Sequence, residues 1–267
     1  MITFPNAKIN IGLNITNRRS DGYHDLETVF YPVQIKDALE IVETEKLTFT
    51  SSGISIPGNP ADNLCLKAFH LISKDYEIRP VHIHLHKNIP IGAGLGGGSA
   101  DAAFFIQLLN DKFELGMDIF QMERYAKQLG ADCAFFLRNK AVFAFGKGDE
   151  FEQVELDLSH YFIVVVKPRV HVSTQEAYQG VKPTFPEQSL RQLISLPVET
   201  WKDSIVNDFE FSIFTNHQEL IEVKSALYSA GAVFAAMSGS GSSIYAIFSA
   251  PVKLIELELE NQVFYGV

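Results

Sequence analysis

Apolar and polar positions alternate strictly over residues 8–15, with Ile9, Ile11, Leu13 and Ile15 set against Lys8, Asn10, Gly12 and Asn14. A period of two predicts a strand with one apolar and one polar face. Lys8 and Asn10 share the polar side, about 7 Å apart along the chain. Solvent exposure is the plainest fate for that side. Asparagine is poor strand material, though, so Asn10 and Asn14 weigh toward a function. Val29, Tyr31 and Val33 continue the β pattern with Phe30 on the opposite face, and 37–43 and 47–50 add further strands. Val81, Ile83 and Leu85 alternate with His82, His84 and His86. Along a flat strand the outer two histidines stand about 13 Å apart, too far for one metal ion, so this reads as a polar strand face.

Helical spacing begins behind Asp62 or Asn63 and runs through Leu64, Ala68, Leu71 and Ile72. Further helices are predicted from Gly98 or Ser99 to about 109, over 118–129 with Gly130 as its stop, and from Ser173 or Thr174 through Tyr178. A helix over 218–229 precedes strands at 233–237 and 243–248; 161–166 reads as a buried strand. This order predicts an α+β layer with helices on one face. Gly146-Lys147-Gly148-Asp149 ends a strand at 141–145 and suggests a boundary near 150, with domains over 1–150 and 151–267.

Between the strand at 81–86 and its following helix lie five glycines: Gly92, Gly94, Gly96, Gly97 and Gly98. Glycine loses more backbone freedom on folding than any other residue, so such a cluster implies sharp turns or close approach of a ligand. Strand, glycine loop and helix N-terminus together form an anion site, and phosphate is the natural guest. A dinucleotide fold would place Gly-x-Gly-x-x-Gly in the first strand–helix turn, whereas this loop sits some ninety residues in. A Walker loop would follow its glycines with Lys-Ser/Thr, and no lysine follows here. The second run, Ser238-Gly-Ser-Gly-Ser242, reads either as a hairpin turn or as another wall of the phosphate site.

Three other places carry candidate chemistry. Asp21-Gly22 marks a tight turn that presents Tyr23 and His24. Asp132 precedes five uncharged residues, so it either caps a helix over 133–137 or meets a cationic partner such as Lys8. Cys65 and Cys133 lack CxxC spacing and read as buried thiols of a reducing compartment. The net charge of −10 argues against a general nucleic-acid binder. The longest apolar strand run is too short to span a bilayer, and the first residues do not form a signal peptide. The expectation is a cytoplasmic protein without nucleic-acid or membrane partners.

Residues 90–103, Pro90-Ile-Gly-Ala-Gly-Leu-Gly-Gly-Gly-Ser-Ala-Asp-Ala-Ala103, resemble the glycine-rich motif of the GHMP kinases, the superfamily of galactokinase, homoserine kinase, mevalonate kinase and phosphomevalonate kinase. Residues 5–13 resemble that family's first motif and Met237-Ser-Gly-Ser-Gly-Ser-Ser243 its third. Within the family, Ala7-Lys-Ile-Asn-Ile-Gly-Leu13, Arg19-Ser-Asp-Gly-Tyr-His24, Asp62-Asn63-Leu64 and Gly130-Ala-Asp132 are similar to a branch of the non-mevalonate isoprenoid route. That branch uses ATP to phosphorylate the 2-hydroxyl of a cytidine-diphosphate-linked methylerythritol.

The resemblance implies a two-domain α+β fold with the active site in the cleft. Its N-terminal domain would be ribosomal-protein-S5-domain-2-like and its C-terminal domain ferredoxin-like. It implies ATP and Mg²⁺ as cofactors, and a monomer or weak homodimer. Asp132 matches the catalytic aspartate and Lys8 its nearby lysine. Asn10 matches a substrate-positioning residue, Tyr23 and His24 the cytosine pair, and Phe30 and Tyr178 other aromatics of that pocket. Asn63 and Lys87 match positions near adenine and ribose. Pro90, Gly92, Gly94, Leu95, Gly96, Gly97, Gly98, Ser99 and Ala100 match the ATP loop, with Ser99 as the contact for Mg²⁺. Ala100-Asp101 departs from the commoner Ser-Asn, which leaves the role of position 101 open, and 252–267 is short for the family's closing helix. Rival readings are a GHMP kinase acting on mevalonate, homoserine or a sugar, against which Tyr23-His24 counts, and a non-catalytic nucleotide-binding module, against which Lys8 with Asp132 counts. A nicotinamide-dependent oxidoreductase is disfavoured by the loop's position.

Overall fold

The computed structural model describes residues 1–267. The chain begins with strands β1 (Ile2–Thr3), β2 (Asn6–Arg18), β3 (His24–Lys36), β4 (Ala38–Glu43) and β5 (Thr48–Gly53). Helix α1 (Leu64–Ile72) and strand β6 (Val81–Lys87) lead to helices α2 (Gly97–Phe113), α3 (Ile119–Leu129) and α4 (Cys133–Arg138). Strands β7 (Val142–Phe145), β8 (Glu150–Gln153) and β9 (Phe162–Lys167) follow, then helices α5 (Thr174–Gln179), α6 (Leu190–Leu193), α7 (Phe209–Asn216) and α8 (Gln218–Ser229). The chain closes with β10 (Phe234–Met237), β11 (Ile244–Phe248), α9 (Ile255–Glu258) and β12 (Gln262–Tyr265). No helix is long and apolar enough to cross a membrane.

These elements form two compact units. The first comprises 1–7, 35–91 and 96–140; the second comprises 8–34, 92–95 and 141–267. This differs from a single cut at 150. The turn at 146–149 joins β7 and β8 as a hairpin, so residue 150 lies inside a continuous pairing. β3 pairs with β7, which draws the early strands into the later unit through backbone hydrogen bonds rather than chain proximity.

The first unit holds a sheet of order β1-β4-β6-β5, with β5 parallel to β6. Leu39, Ile41, Ile83 and Leu85 are fully buried on one face, against which α2 lies at β1 and β4. On the other face Thr50 bonds His82 and His84, and Ser52 bonds His84 and His86, at 2.9–3.1 Å. The histidines thus sit in a cross-strand hydroxyl–imidazole ladder. Asn63 caps α1 by accepting from the Cys65 N–H, and Asp118 with Gln121 forms a capping box on α3.

The second unit holds sheets of order β2-β3-β7-β8 and β10-β11-β9-β12. Val164, Val166, Ala246, Leu220 and Val223 share one core with Leu13 and Ile15 of β2. β2 is therefore buried on both faces, and the solvent-facing alternative for its polar side is excluded. The Asn14 side chain bonds Asp208, which also accepts the Ile15 N–H, so Asn14 anchors the strand to the start of α7. Residues 252–267 form α9 and the edge strand β12 on β9.

Candidate functional site

In the second unit the two glycine runs meet. Gly92 and Gly94 have φ of +62° and +78°, in the left-handed region that L side chains avoid. A Cβ on Gly94 would lie 1.9 Å from the Ser238 carbonyl oxygen. Ser238 Oγ donates to the Gly94 carbonyl at 2.8 Å, and the Ser243 N–H to the Ala93 carbonyl at 3.2 Å. The 238–243 segment is the β10–β11 hairpin turn, and it packs against the first loop. Asn207, buried to 3% exposure, holds that turn by donating to the Met237 and Gly239 carbonyls at 2.8 Å. Nothing beside Asn207 in the sequence marks this role, because its partners lie 30 and 32 residues away.

Lys8 and Asn10 come together as the strand period requires. Lys8 Nζ donates to Asn10 Oδ1 at 2.5 Å and to the Gly94 carbonyl at 3.2 Å, and it lies 4.8 Å over the buried Phe30 ring. Asn10 Nδ2 donates to Thr28 Oγ1, while the Asn10 N–H donates to Ser238 Oγ. A buried ammonium must find acceptors, and these are supplied. His24 stacks on Tyr178 with ring centroids 5.0 Å apart, which brings the start of β3 to α5. Tyr23 is 63% exposed on the preceding turn, where Asp21 accepts its N–H. Lys147 lies over the Tyr23 ring at 5.3 Å. Lys147 lies in the 146–149 turn, and only the β7–β8 hairpin brings it to this face.

In the first unit Gly96, at φ +71°, is the N-cap of α2, so the helix starts two residues before Ser99 and runs past 109 to Phe113. Left-handed backbone at the cap is what favours glycine there. The first turn then carries Gly97, Gly98 and Ser99 at the positive end of a 17-residue helix. Gly98 is exposed, and a Cβ there would meet nothing within 4 Å. Ser99 hydrogen-bonds the Cys133 thiol, whose pKa burial pushes up to about 11. Cys65 and Cys133 are both buried free thiols. Asn63 lines a cavity of 180 Å³ with Phe49, Ser51, Pro57 and Asn59. Asp132 occupies the N-cap position of α4 without a side-chain cap bond.

Lys87 and Asp101 are each 3% exposed. Lys87 Nζ donates to Asp101 Oδ2 at 2.8 Å and bonds Asp37 Oδ2. Burial raises the Asp101 pKa to about 8; the nearby Lys87 opposes this and Asp37 adds to it. Burial works against the Lys87 ammonium, but both carboxylates outweigh it and raise its pKa. Folding therefore favours protonated Asp101, and its contribution to stability falls as pH rises between about 4 and about 8. Asp101→Asn is expected to melt above the wild type at pH 9, with the gap narrowing toward pH 5. A gap that is constant with pH, read by thermal melts, contradicts the shift.

A glycine-capped helix start in the first unit, and in the second a serine–glycine hairpin on the glycine loop and a buried lysine–asparagine pair, are the features set against known families. The GHMP kinases N-terminal domain model matches residues 63–140, and the GHMP kinases C-terminal model matches 190–266. The chain belongs to the GHMP kinase family, ATP-dependent kinases of small molecules. It is 52% identical over 264 residues to 4-diphosphocytidyl-2-C-methyl-D-erythritol kinase of Bacteroides fragilis, covering 97% of this chain and 96% of that one. It is 51% identical over 268 residues to the kinase of that name from Bacteroides thetaiotaomicron, covering 99% and 98%. A crystal structure of 4-(cytidine 5′-diphospho)-2C-methyl-D-erythritol kinase superposes with a TM-score of 0.85 at 29% identity, covering 100% and 98%. A homoserine kinase from Cytophaga hutchinsonii matches at TM-score 0.68 and 18% identity over 98% and 94%, a likeness of fold.

Proposed function

We infer that this protein uses ATP to phosphorylate the 2-hydroxyl of 4-diphosphocytidyl-2-C-methyl-D-erythritol, a step of the non-mevalonate isoprenoid route. The observation that carries the inference is the 52% identity, over nearly the whole chain, to a kinase of that name. The stacked His24–Tyr178 pair beside exposed Tyr23 supports it, because a cytosine ring needs aromatic faces and hydrogen-bond partners. Free buried thiols and a soluble nucleotide substrate accord with a cytoplasmic enzyme.

Phosphoryl transfer asks chiefly for positioning and charge neutralisation. The α2 start, through Gly97, Gly98 and Ser99, receives the ATP phosphates with its amides and dipole. The loop residues Pro90, Gly92, Gly94, Leu95, Gly96 and Ala100 shape that cradle. Asn63, beside its cavity, receives the adenine end. Asp132 takes the proton of the attacking hydroxyl, and Lys8 supplies positive charge for the transferring phosphoryl group. Asn10, fixed by Lys8 and Thr28, orients the acceptor. No group of three or more His, Cys, Asp or Glu side chains is placed to hold a metal. Mg²⁺ arriving with ATP would take its oxygens from phosphate and water, with the Ser99 hydroxyl as protein contact, and would neutralise phosphate charge.

ADP release is expected with the cytidine substrate and not with homoserine, mevalonate or galactose. Equal turnover of any of these would overturn the assignment. Tyr23→Ala is expected to raise KM for the cytidine substrate by roughly tenfold or more, the scale of one base–aromatic stack, and to leave KM for ATP within about twofold. Equal rises in both constants would place Tyr23 elsewhere.

A further inference from the structure

The glycine loop has two stems, Asn88-Ile89 entering it and the first turns of α2 leaving it, and one buried cluster holds both. Asp37 is 1% exposed. Its Oδ1 accepts the Asn88 N–H at 2.6 Å and the Ile89 N–H at 2.8 Å, which fixes the entry stem. Its Oδ2 bonds the Lys87 ammonium. The same ammonium donates to Asp101 Oδ2, one turn into α2, which fixes the exit stem. Between the stems there is no spare room: a Cβ on Gly97 would sit 3.0 Å from Lys87 Nζ and 2.9 Å from Ile89 Cγ2.

We propose that Asp37, Lys87 and Asp101 form a buried clasp that sets the spacing of the loop stems, with Asp101 a positioning residue for ATP. The proposal rests on the kinase reading above. Lys87 then acts on the nucleotide indirectly, through Asp101 and Asp37, with its side chain 3% exposed. Three buried ionisable side chains are a costly way to stabilise a core, and apolar residues of similar volume often serve as well or better. An arrangement that instead fixes the amides of a phosphate cradle lowers the reorganisation needed when the anion binds. This gives a function to position 101, where aspartate stands in place of the commoner asparagine. Asp101 Oδ1 makes no hydrogen bond, so its whole bonding role is the contact with the clasp through Oδ2.

The experiment compares steady-state kinetics and thermal melts of the wild type, Asp101→Ala and Asp101→Asn, with ATP and the cytidine substrate varied in turn. Asp101→Ala is expected to raise KM for ATP about tenfold, the scale of a lost charge-assisted hydrogen bond, with KM for the cytidine substrate within about twofold. Asp101→Asn keeps an oxygen for the Lys87 ammonium and is expected to stay within about threefold of the wild type for ATP. Where Asp101→Ala does not fold, Asp101→Ser, too short to reach the ammonium, takes its place. A folded Ala or Ser variant with unchanged KM for ATP, or with both KM values raised alike, overturns the clasp. A wild type that binds no ATP, by calorimetry with a non-hydrolysable analogue, overturns the kinase reading and the clasp together.

Discussion

Asp132→Asn is expected to fold as the wild type does and to lose at least ~10²-fold in kcat, the usual scale for a general base. The folding half of this expectation follows from the position of the side chain. Asp132 stands at the N-cap position of α4, yet its carboxylate makes no cap bond there, so losing the charge removes no cap. The helix keeps its buried face of Cys133, Ala134, Phe135, Phe136 and Leu137. The kinetic half follows from the chemistry. An alcohol attacking a phosphoryl group must shed its proton, and an amide cannot accept one. Both KM values should change little, since asparagine preserves shape. Melting curves with turnover at saturating substrates provide the measurement, and a variant with near-native kcat would refute the role.

Gly94→Ala is expected to cost both stability and activity, for a reason that is entirely tertiary. At φ +78° an L side chain is strained by about 1–3 kcal/mol. The added methyl carbon would also lie 1.9 Å from the Ser238 carbonyl oxygen and 2.8 Å from its carbon, so the hairpin at 238–243 must shift. Forcing volume into a packed site adds about 1–3 kcal/mol more. The shift would break the Ser238 Oγ bond to the Gly94 carbonyl and disturb the Lys8 bond to that same oxygen. A fall of about 3 kcal/mol in denaturant stability, with a loss of activity near that of Asp132→Asn, is the expected outcome. Gly98→Ala is the control: its Cβ would meet nothing within 4 Å. That variant should keep full stability and raise only KM for ATP. Equal melting of Gly94→Ala and the wild type would show that the two loops do not support each other.

Local chemistry made much of the site legible. The shared face of Lys8 and Asn10 follows from the period of a strand, and their hydrogen bond follows from sharing it. The Asp118–Gln121 box, the Asn63 cap and the helix over 218–229 are decided within a few residues, where capping and periodicity operate. The glycine cluster marked a loop of left-handed backbone and close approach, which Gly92, Gly94 and Gly96 then show.

The sequence by itself determined which segments become strands and helices and which residue types carry the chemistry. Only the tertiary structure decided what those residues meet. Asn10 and Ser238 are 228 positions apart, Ser238 and Gly94 144, and Lys87 and Asp37 50. Such contacts leave no periodic trace, because each is fixed by how sheets pair and pack rather than by neighbours along the chain. The two-sided burial of β2, the joining of the serine–glycine turn to the first loop, and the stacking of His24 on Tyr178 are of this kind. So is the surrounding of Lys87: the resemblance puts it near adenine and ribose, and the folded chain sets its ammonium between two carboxyl groups.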